Sequence, residues 1–215
     1  MSKNVLVLCA HPDDEVLGCG GTIARLADEG CSIELLTFTD GLSARGTKGD
    51  RYDQLEKSCK MLGIKNYACG QFPDNKIDSV PLLELCKFIE NSVKNTPDII
   101  LTHHPDCLNI DHSLVYRATI TSFRPQKGDR LKIYSYYVPS STDYNPLNMF
   151  VANTYVDVKD YKDIKLKCLR ECYGSEMREY PHSRSCKNVE NLMKVSGAEV
   201  GLEYAEKFQL MRGII

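Results

Sequence analysis

Two rhythms of apolar residues alternate along the first hundred positions of this chain. Val5-Leu6-Val7-Leu8-Cys9-Ala10 is an unbroken apolar run, the pattern of a strand buried on both faces. Leu17, Ile23, Ala24 and Ala27 then mark a helix, with Gly30 as its stop. Ile33 to Phe38 predicts a second buried strand, and a polar loop rich in Gly and Ser follows from Thr39 to Asp50. Tyr52, Leu55, Cys59 and Leu62 predict the next helix, ended by Gly63. A short strand near Tyr67 to Phe72 runs into the turn Pro73-Asp74-Asn75. Leu82, Leu85, Cys86, Ile89 and Val93 mark a further helix, and Asp98 to Thr102 a fourth strand.

Strands alternating with helices predict an α/β fold: a mostly parallel sheet covered by helices on both faces. Beyond about Lys132 the pattern loosens. Ile133 to Val138 and Val151 to Val156 read as strands, Tyr161 to Tyr173 and Asn188 to Lys194 as helices, and Tyr204 to Arg212 as either a helix or an edge strand. With 215 residues, no internal repeat and no linker-like stretch, one domain over 1–215 is expected.

Composition narrows the partners. Lys plus Arg number 27 and Asp plus Glu 29, and no basic run is interleaved with aromatics, so nucleic acid is not an expected partner. No apolar stretch approaches the roughly 20 residues of a membrane span. Ten scattered cysteines read as small buried hydrophobes in a reducing cytosol rather than as disulfides, and Cys168 and Cys172, one helical turn apart, as core packing.

The chemistry gathers after two strands, where open α/β sheets bind their ligands. His11-Pro12-Asp13-Asp14-Glu15 follows the first strand, and a segment from His103-His104-Pro105-Asp106 to Asp111-His112 follows the fourth. If the fourth strand returns beside the first, the two face each other. Crowded acids repel unless a cation lies among them. Two imidazoles and a carboxylate with a fourth position for water make a catalytic zinc arrangement, and a further carboxylate can take the water's proton. Helix capping would account for one or two of the acids but not for His11. Gly18-Cys19-Gly20-Gly21 arrives too late for a dinucleotide turn and is read as allowing close helix–sheet packing.

Ala10-His11-Pro12-Asp13-Asp14-Glu15 with Gly18 to Ala24, Leu108 to His112, Thr39-Asp40-Gly41, Arg51, Leu62-Gly63, Phe72 to Asn75 and Ser175 to Ser185 together resemble the PIG-L (LmbE-like) family of zinc-dependent N-deacetylases. The resemblance implies a Rossmann-like sheet and one Zn2+ held by His11, Asp14 and His112, with Asp13 as general base. It places Arg51 and Asp74 against a polar substrate. Many members carry a histidine three residues before the last ligand; Asn109 stands there in this chain, so the oxyanion donor is either Asn109 or His182 of the later motif. Arg45, in the glycine-rich loop, is a further candidate for a substrate phosphate or carboxylate. Arg51 opens a helix, where the macrodipole disfavours a cation, and is expected to be held for a partner anion. Asp111 is expected to orient an imidazole or loop, one of His103 and His104 to support a ligand, and Glu15 to be a helix-start or supporting acid.

The implied reaction removes the acetyl group from an N-acetylated amino sugar, N-acetylglucosamine-like, free or nucleotide-linked, in the cytosol. A zinc amidase for another amide, such as a thiol conjugate or antibiotic precursor, and a non-catalytic metal-binding module are the alternatives. A structural zinc would usually take four protein ligands, often Cys. A homo-oligomer is left open by the sequence.

Overall fold

The computed structural model describes residues 2–42, 51–128, 130–146 and 148–214. β1 (Asn4–Cys9) is the central strand its apolar run predicts. Val5, Val7 and Cys9 enter one layer of core, and Leu6, Leu8 and Ala10 of the adjoining turn enter the other. Around it lie β2 (Ser32–Thr39), β3 (Asn66–Phe72), β4 (Ile99–His103), β5 (Lys132–Tyr136), β6 (Thr154–Asp157) and β7 (Ala205–Arg212). Among the described residues these seven form one sheet in the order β3-β2-β1-β4-β5-β7-β6. β1 pairs in parallel with both β2 and β4, Val7 lying opposite Leu35 and Leu101. β2–β3 and β4–β5 are also parallel, whereas β7 runs antiparallel to β5 and β6. The chain therefore winds outward from β1 to β3 and returns beside β1 as β4, which opens a crevice between the β1 and β4 carboxyl ends.

Six helices cover the two faces among the described residues. α1 (Asp14–Asp28), α2 (Arg51–Leu62), α5 (Lys162–Cys172) and α6 (Cys186–Ala198) lie over one core layer, and α3 (Leu82–Ser92) and α4 (Ile110–Ser122) over the other. α4 has no counterpart in the apolar pattern. It buries Asp111, His112 and Thr119 alongside Val115 and Ala118, and it exposes Ile110 and Ile120, so its amphipathic signal cancels. The segment ending in Arg212 is a strand with partners on both sides, so β6 rather than β7 forms the edge. β6 begins at Thr154, later than the apolar run at Val151, whose side chain is exposed. α6 extends beyond its predicted core at both ends.

α1 is kinked at Cys19 (φ −147°). A Cβ on Gly18 would stand 2.3 Å from the ring of Tyr136 in β5, and one on Gly21 2.9 Å from Val158, so these glycines let the helix lie against the sheet. The kink frees backbone groups, and distant elements satisfy them. Glu206 of β7 accepts from the N–H groups of Gly21 (3.0 Å) and Thr22 (2.7 Å). Lys165 of α5 donates to Leu17 O (3.0 Å) and to Glu206 Oε1 (2.5 Å). All ten cysteines are free; the Cys168 and Cys172 sulfurs are 3.8 Å apart in the core.

Candidate active site

The turn after β1 and the first turn of α4 meet across the crevice. Ala10 N–H donates to His103 Nε2 (2.9 Å), which ties the end of β1 to that of β4. Asp13 then adopts φ 117° and starts α1, its carbonyl accepting from Val16 (3.1 Å) and Leu17 (2.9 Å). α4 is capped by Asn109, whose side-chain oxygen accepts from Asp111 N–H (2.9 Å), and this cap turns His112 inward.

Three buried atoms converge there. His11 Nδ1 is 3.2 Å from Asp14 Oδ2 and 3.3 Å from His112 Nε2, and His112 Nε2 is 3.4 Å from Asp14 Oδ2. A tetrahedron with zinc–ligand bonds of 2.0–2.1 Å has edges of about 3.3–3.4 Å, so the three atoms stand at three corners of such a site. The charge balance agrees. Burial opposes a charge on His11, but Asp111, Asp14 and Asp74 outweigh it and hold its pKa well above the ordinary value. His112 rises to about 9 against the same burial because Asp14 and Cys107 face it. Asp14, despite burial, is held well below the usual carboxylate range by His112 and His103. The cluster demands positive charge between its donors, which a divalent cation supplies.

The outer nitrogens of the two imidazoles are held too. His11 Nε2 lies 3.1 Å from Asp111 Oδ2 and 3.2 Å from Asp74 Oδ1. Asp111 is fixed in turn by the N–H groups of Asn75 (2.7 Å) and Ile77 (3.1 Å), so it orients both an imidazole and a loop. His112 Nδ1 faces Cys107 Sγ at 3.1 Å. His103 stacks on His112 with ring centres 3.8 Å apart, and burial lowers its pKa to about 3. His104 lies instead against Phe150 and takes no part in the cluster.

Asp13, beside these donors, presents Oδ2 to Arg51 Nη2 (3.4 Å) and to Arg184 Nη2. Burial pushes its carboxyl pKa up, and Arg184 and Arg51 oppose that rise. Arg51 also donates to Pro12 O (2.6 Å) and pairs with Glu176 (3.0 Å). The anions expected to hold Arg51 are therefore carboxylates of the protein. Glu15 is buried under α1: Oε1 accepts from Ser58 (2.6 Å) and Tyr173 (2.7 Å), and Oε2 from Asp13 N–H (2.9 Å).

The remaining candidates surround a cleft of about 650 Å³ above the cluster. Asp74 is buried in its wall, and His182 is exposed at it, Nδ1 accepting from Arg184 N–H (3.0 Å). Asn109 lines it as well, but its amide N–H donates to Asn75 (3.1 Å) and its oxygen caps α4. Arg45 lies outside the described residues. Sequence reasoning missed Arg184, Cys107 and the pair Ser58 and Tyr173. A polar Ser58 on the buried face of α2 is the one local sign of that last pair.

A family model described as PIG-L: GlcNAc-PI de-N-acetylase matches residues 6–123. An uncharacterized deacetylase of Escherichia coli, YaiS, is 32% identical over 181 residues, covering 79% of this chain and 90% of the relative. A probable N-acetyl-alpha-D-glucosaminyl L-malate deacetylase 2 of Bacillus cereus is 26% identical over 176 residues, covering 75% and 80%. Among solved structures, the N,N'-diacetylchitobiose deacetylase of Pyrococcus horikoshii superposes with a TM-score of 0.76 at 23% identity, over 98% of this chain and 84% of that one, and so shares the fold.

Proposed function

This chain belongs to the PIG-L family, and on that premise we propose that it hydrolyses the acetamide of an N-acetylated amino sugar at a zinc centre held by His11, Asp14 and His112. It is an amide hydrolase, an N-deacetylase, and its products are acetate and a free amine. The substrate is a small N-acetylglucosamine-like sugar, free or conjugated, as the names of its relatives suggest. The observation that carries the reading is the donor triangle of 3.2, 3.3 and 3.4 Å with the Asp13 carboxylate beside it at the floor of the cleft.

Zinc supplies Lewis acidity to the acetamide carbonyl and to the attacking water. Asp13 does the proton work. Its carboxylate, held between Arg51 and Arg184, takes a proton from the water as the new C–O bond forms. The same proton passes from Asp13 to the sugar nitrogen as the C–N bond breaks, so the carboxylate is regenerated. Asp111 and Asp74 keep His11 turned toward Asp14 throughout. We assign the donor for the carbonyl oxygen to His182 at the cleft, since the Asn109 amide already donates to Asn75 and caps α4.

Metal analysis of the purified protein, combined with acetate release from free and nucleotide-linked N-acetylhexosamines, tests this reading. Asp13→Asn is expected to retain zinc while turnover falls by about 10²–10⁴-fold, the usual contribution of a general base. Near-normal turnover in that variant with zinc in place would overturn the assignment of the base. Absence of both metal and acetate release from the unaltered protein would overturn the whole reading.

A further inference from the structure

Deacetylation leaves one buried polar group of the site without a part. Cys107 lies in the loop between β4 and α4 and is 5% exposed. Its Sγ is 3.1 Å from His112 Nδ1, 3.0 Å from Ser141 Oγ and 3.4 Å from Thr142 Oγ1. The two hydroxyls belong to the turn after β5. That turn is itself fixed: Val138 N–H donates to Thr142 Oγ1 (2.9 Å), and Leu108 N–H donates to Ser141 O (3.3 Å).

The imidazole of His112 can satisfy this arrangement in one tautomer. Nε2 points at His11 and Asp14, where a lone pair is needed to hold a cation, so the ring proton resides on Nδ1. Nδ1–H then donates to the sulfur, and the thiol donates to Ser141 Oγ. The counterpart on the other ligand differs in kind, because the outer nitrogen of His11 faces two carboxylates. A sulfur held between an imidazole and two hydroxyls fixes the ring of His112 from the 138–142 turn, on a side where no carboxylate among the described residues reaches it.

We propose that Cys107 is a positioning residue of the metal centre: its sulfur fixes the tautomer and the plane of His112 and locks that ligand to the 138–142 turn of the cleft wall. The inference rests on the reading of His112 as a zinc ligand. Residues that hold the far nitrogen of a metal-bound histidine typically control metal affinity by 10–100-fold.

Equilibrium competition for zinc between the protein and a chromophoric chelator tests it, with the melting temperature of each metal-free protein measured alongside. Cys107→Ala, which removes the acceptor, is expected to bind zinc about 10–100-fold more weakly than the unaltered protein. Cys107→Ser, which keeps an acceptor and a donor, is expected to recover most of that loss. Unaltered zinc affinity in Cys107→Ala, measured against a parent that does bind zinc, overturns this inference alone. Equal weakening in the Ala and Ser variants, with equal loss of melting temperature in the metal-free state, also overturns it, since packing then suffices as the cause. A parent protein that binds no zinc overturns it together with the proposed function.

Discussion

Asp13 holds φ 117°, in the half of backbone space that residues with a Cβ avoid. Such a conformation persists only where its surroundings enforce it. Three contacts do so here. Its carbonyl begins α1, its carboxylate lies between two arginines, and its N–H is held by Glu15 Oε2. The last contact depends on Ser58 and Tyr173, which both donate to the other oxygen of Glu15. Burial raises the Glu15 carboxyl pKa to about 7, and those two hydroxyls pull against the rise. Removal of one hydroxyl leaves a buried acceptor short of a partner, which costs about 1–3 kcal/mol. Tyr173→Phe is therefore expected to destabilise the protein by roughly that amount in urea unfolding and to lower turnover about tenfold, equivalent to about 1.4 kcal/mol in the barrier. Zinc content is expected to stay unchanged, because Tyr173 touches no ligand of the donor triangle. Unchanged turnover would show that the Asp13 backbone needs no support from the residue that ends α5. The sequence made Glu15 legible as a supporting acid because it adjoins the histidine–aspartate run. Its supports come from α2 and the residue that ends α5, at separations no local pattern records.

At the scale of elements, α1 begins at the turn that carries the proposed base, so its placement sets that of Asp13 and Asp14. The helix is split at Cys19, and its two halves are joined through Glu206 and Lys165, side chains of β7 and α5 that are both buried. A buried ion pair gives little net stability over an apolar pair, but loss of one member leaves an uncompensated charge and costs about 3–5 kcal/mol. The two members are not equivalent. Lys165→Met leaves Glu206 with two backbone donors, Gly21 and Thr22, and deprives only Leu17 O, whereas Glu206→Leu orphans both backbone donors and leaves the ammonium with Leu17 O but no counter-charge. Glu206→Leu is expected to be the more destabilising substitution by at least about 1 kcal/mol, the cost of a further unsatisfied buried group. Urea unfolding of the two variants side by side decides this, and equal losses would mean that the kink needs no outside donors or acceptors. The glycines around Cys19 announced close packing in the sequence, and the fold meets that expectation. The kink and its partners stayed hidden because a lysine in α5 and a glutamate in β7 look like ordinary surface charges on amphipathic elements. The same blindness hid α4: its inward face is partly polar because it buries His112, Asp111 and Thr119, so the candidate site itself erased the apolar period.

Across the whole molecule the site divides into two parts of different legibility. The donor triangle, Asp13 and the residues that orient His11 all precede residue 113 and lie within the 6–123 span matched by the family model. They sit in three short runs that follow predicted strands, His11 to Asp14 after β1, Asp74 after β3 and Asp111-His112 after β4, and strand order brought the first and last together once β4 returned beside β1. The opposite wall comes from the last third of the chain: Glu176 pairs with Arg51, Arg184 with Asp13, and His182 with the backbone of Arg184. No periodicity specifies that loop, and only its resemblance to a family motif pointed to it. This division makes a prediction that separates metal binding from chemistry. Arg184 touches the base and none of the three ligand atoms, so Arg184→Gln is expected to leave zinc stoichiometry and chelator competition unchanged. Burial raises the Asp13 carboxyl pKa and Arg184 is foremost among the charges that oppose it, so the variant raises that pKa further. A base with a higher pKa is deprotonated over a narrower range, and the acid limb of the pH profile of kcat/KM is expected to move to higher pH. Away from that limb the loss of a half-buried guanidinium partner also leaves the carboxylate poorly aimed, and turnover is expected to fall by about 10²-fold, as for a misplaced catalytic group. Metal content by mass spectrometry and acetate release across pH check both halves of the prediction. A drop in zinc content would assign Arg184 to the integrity of the metal centre, and an acid limb that stays in place would remove it from control of Asp13.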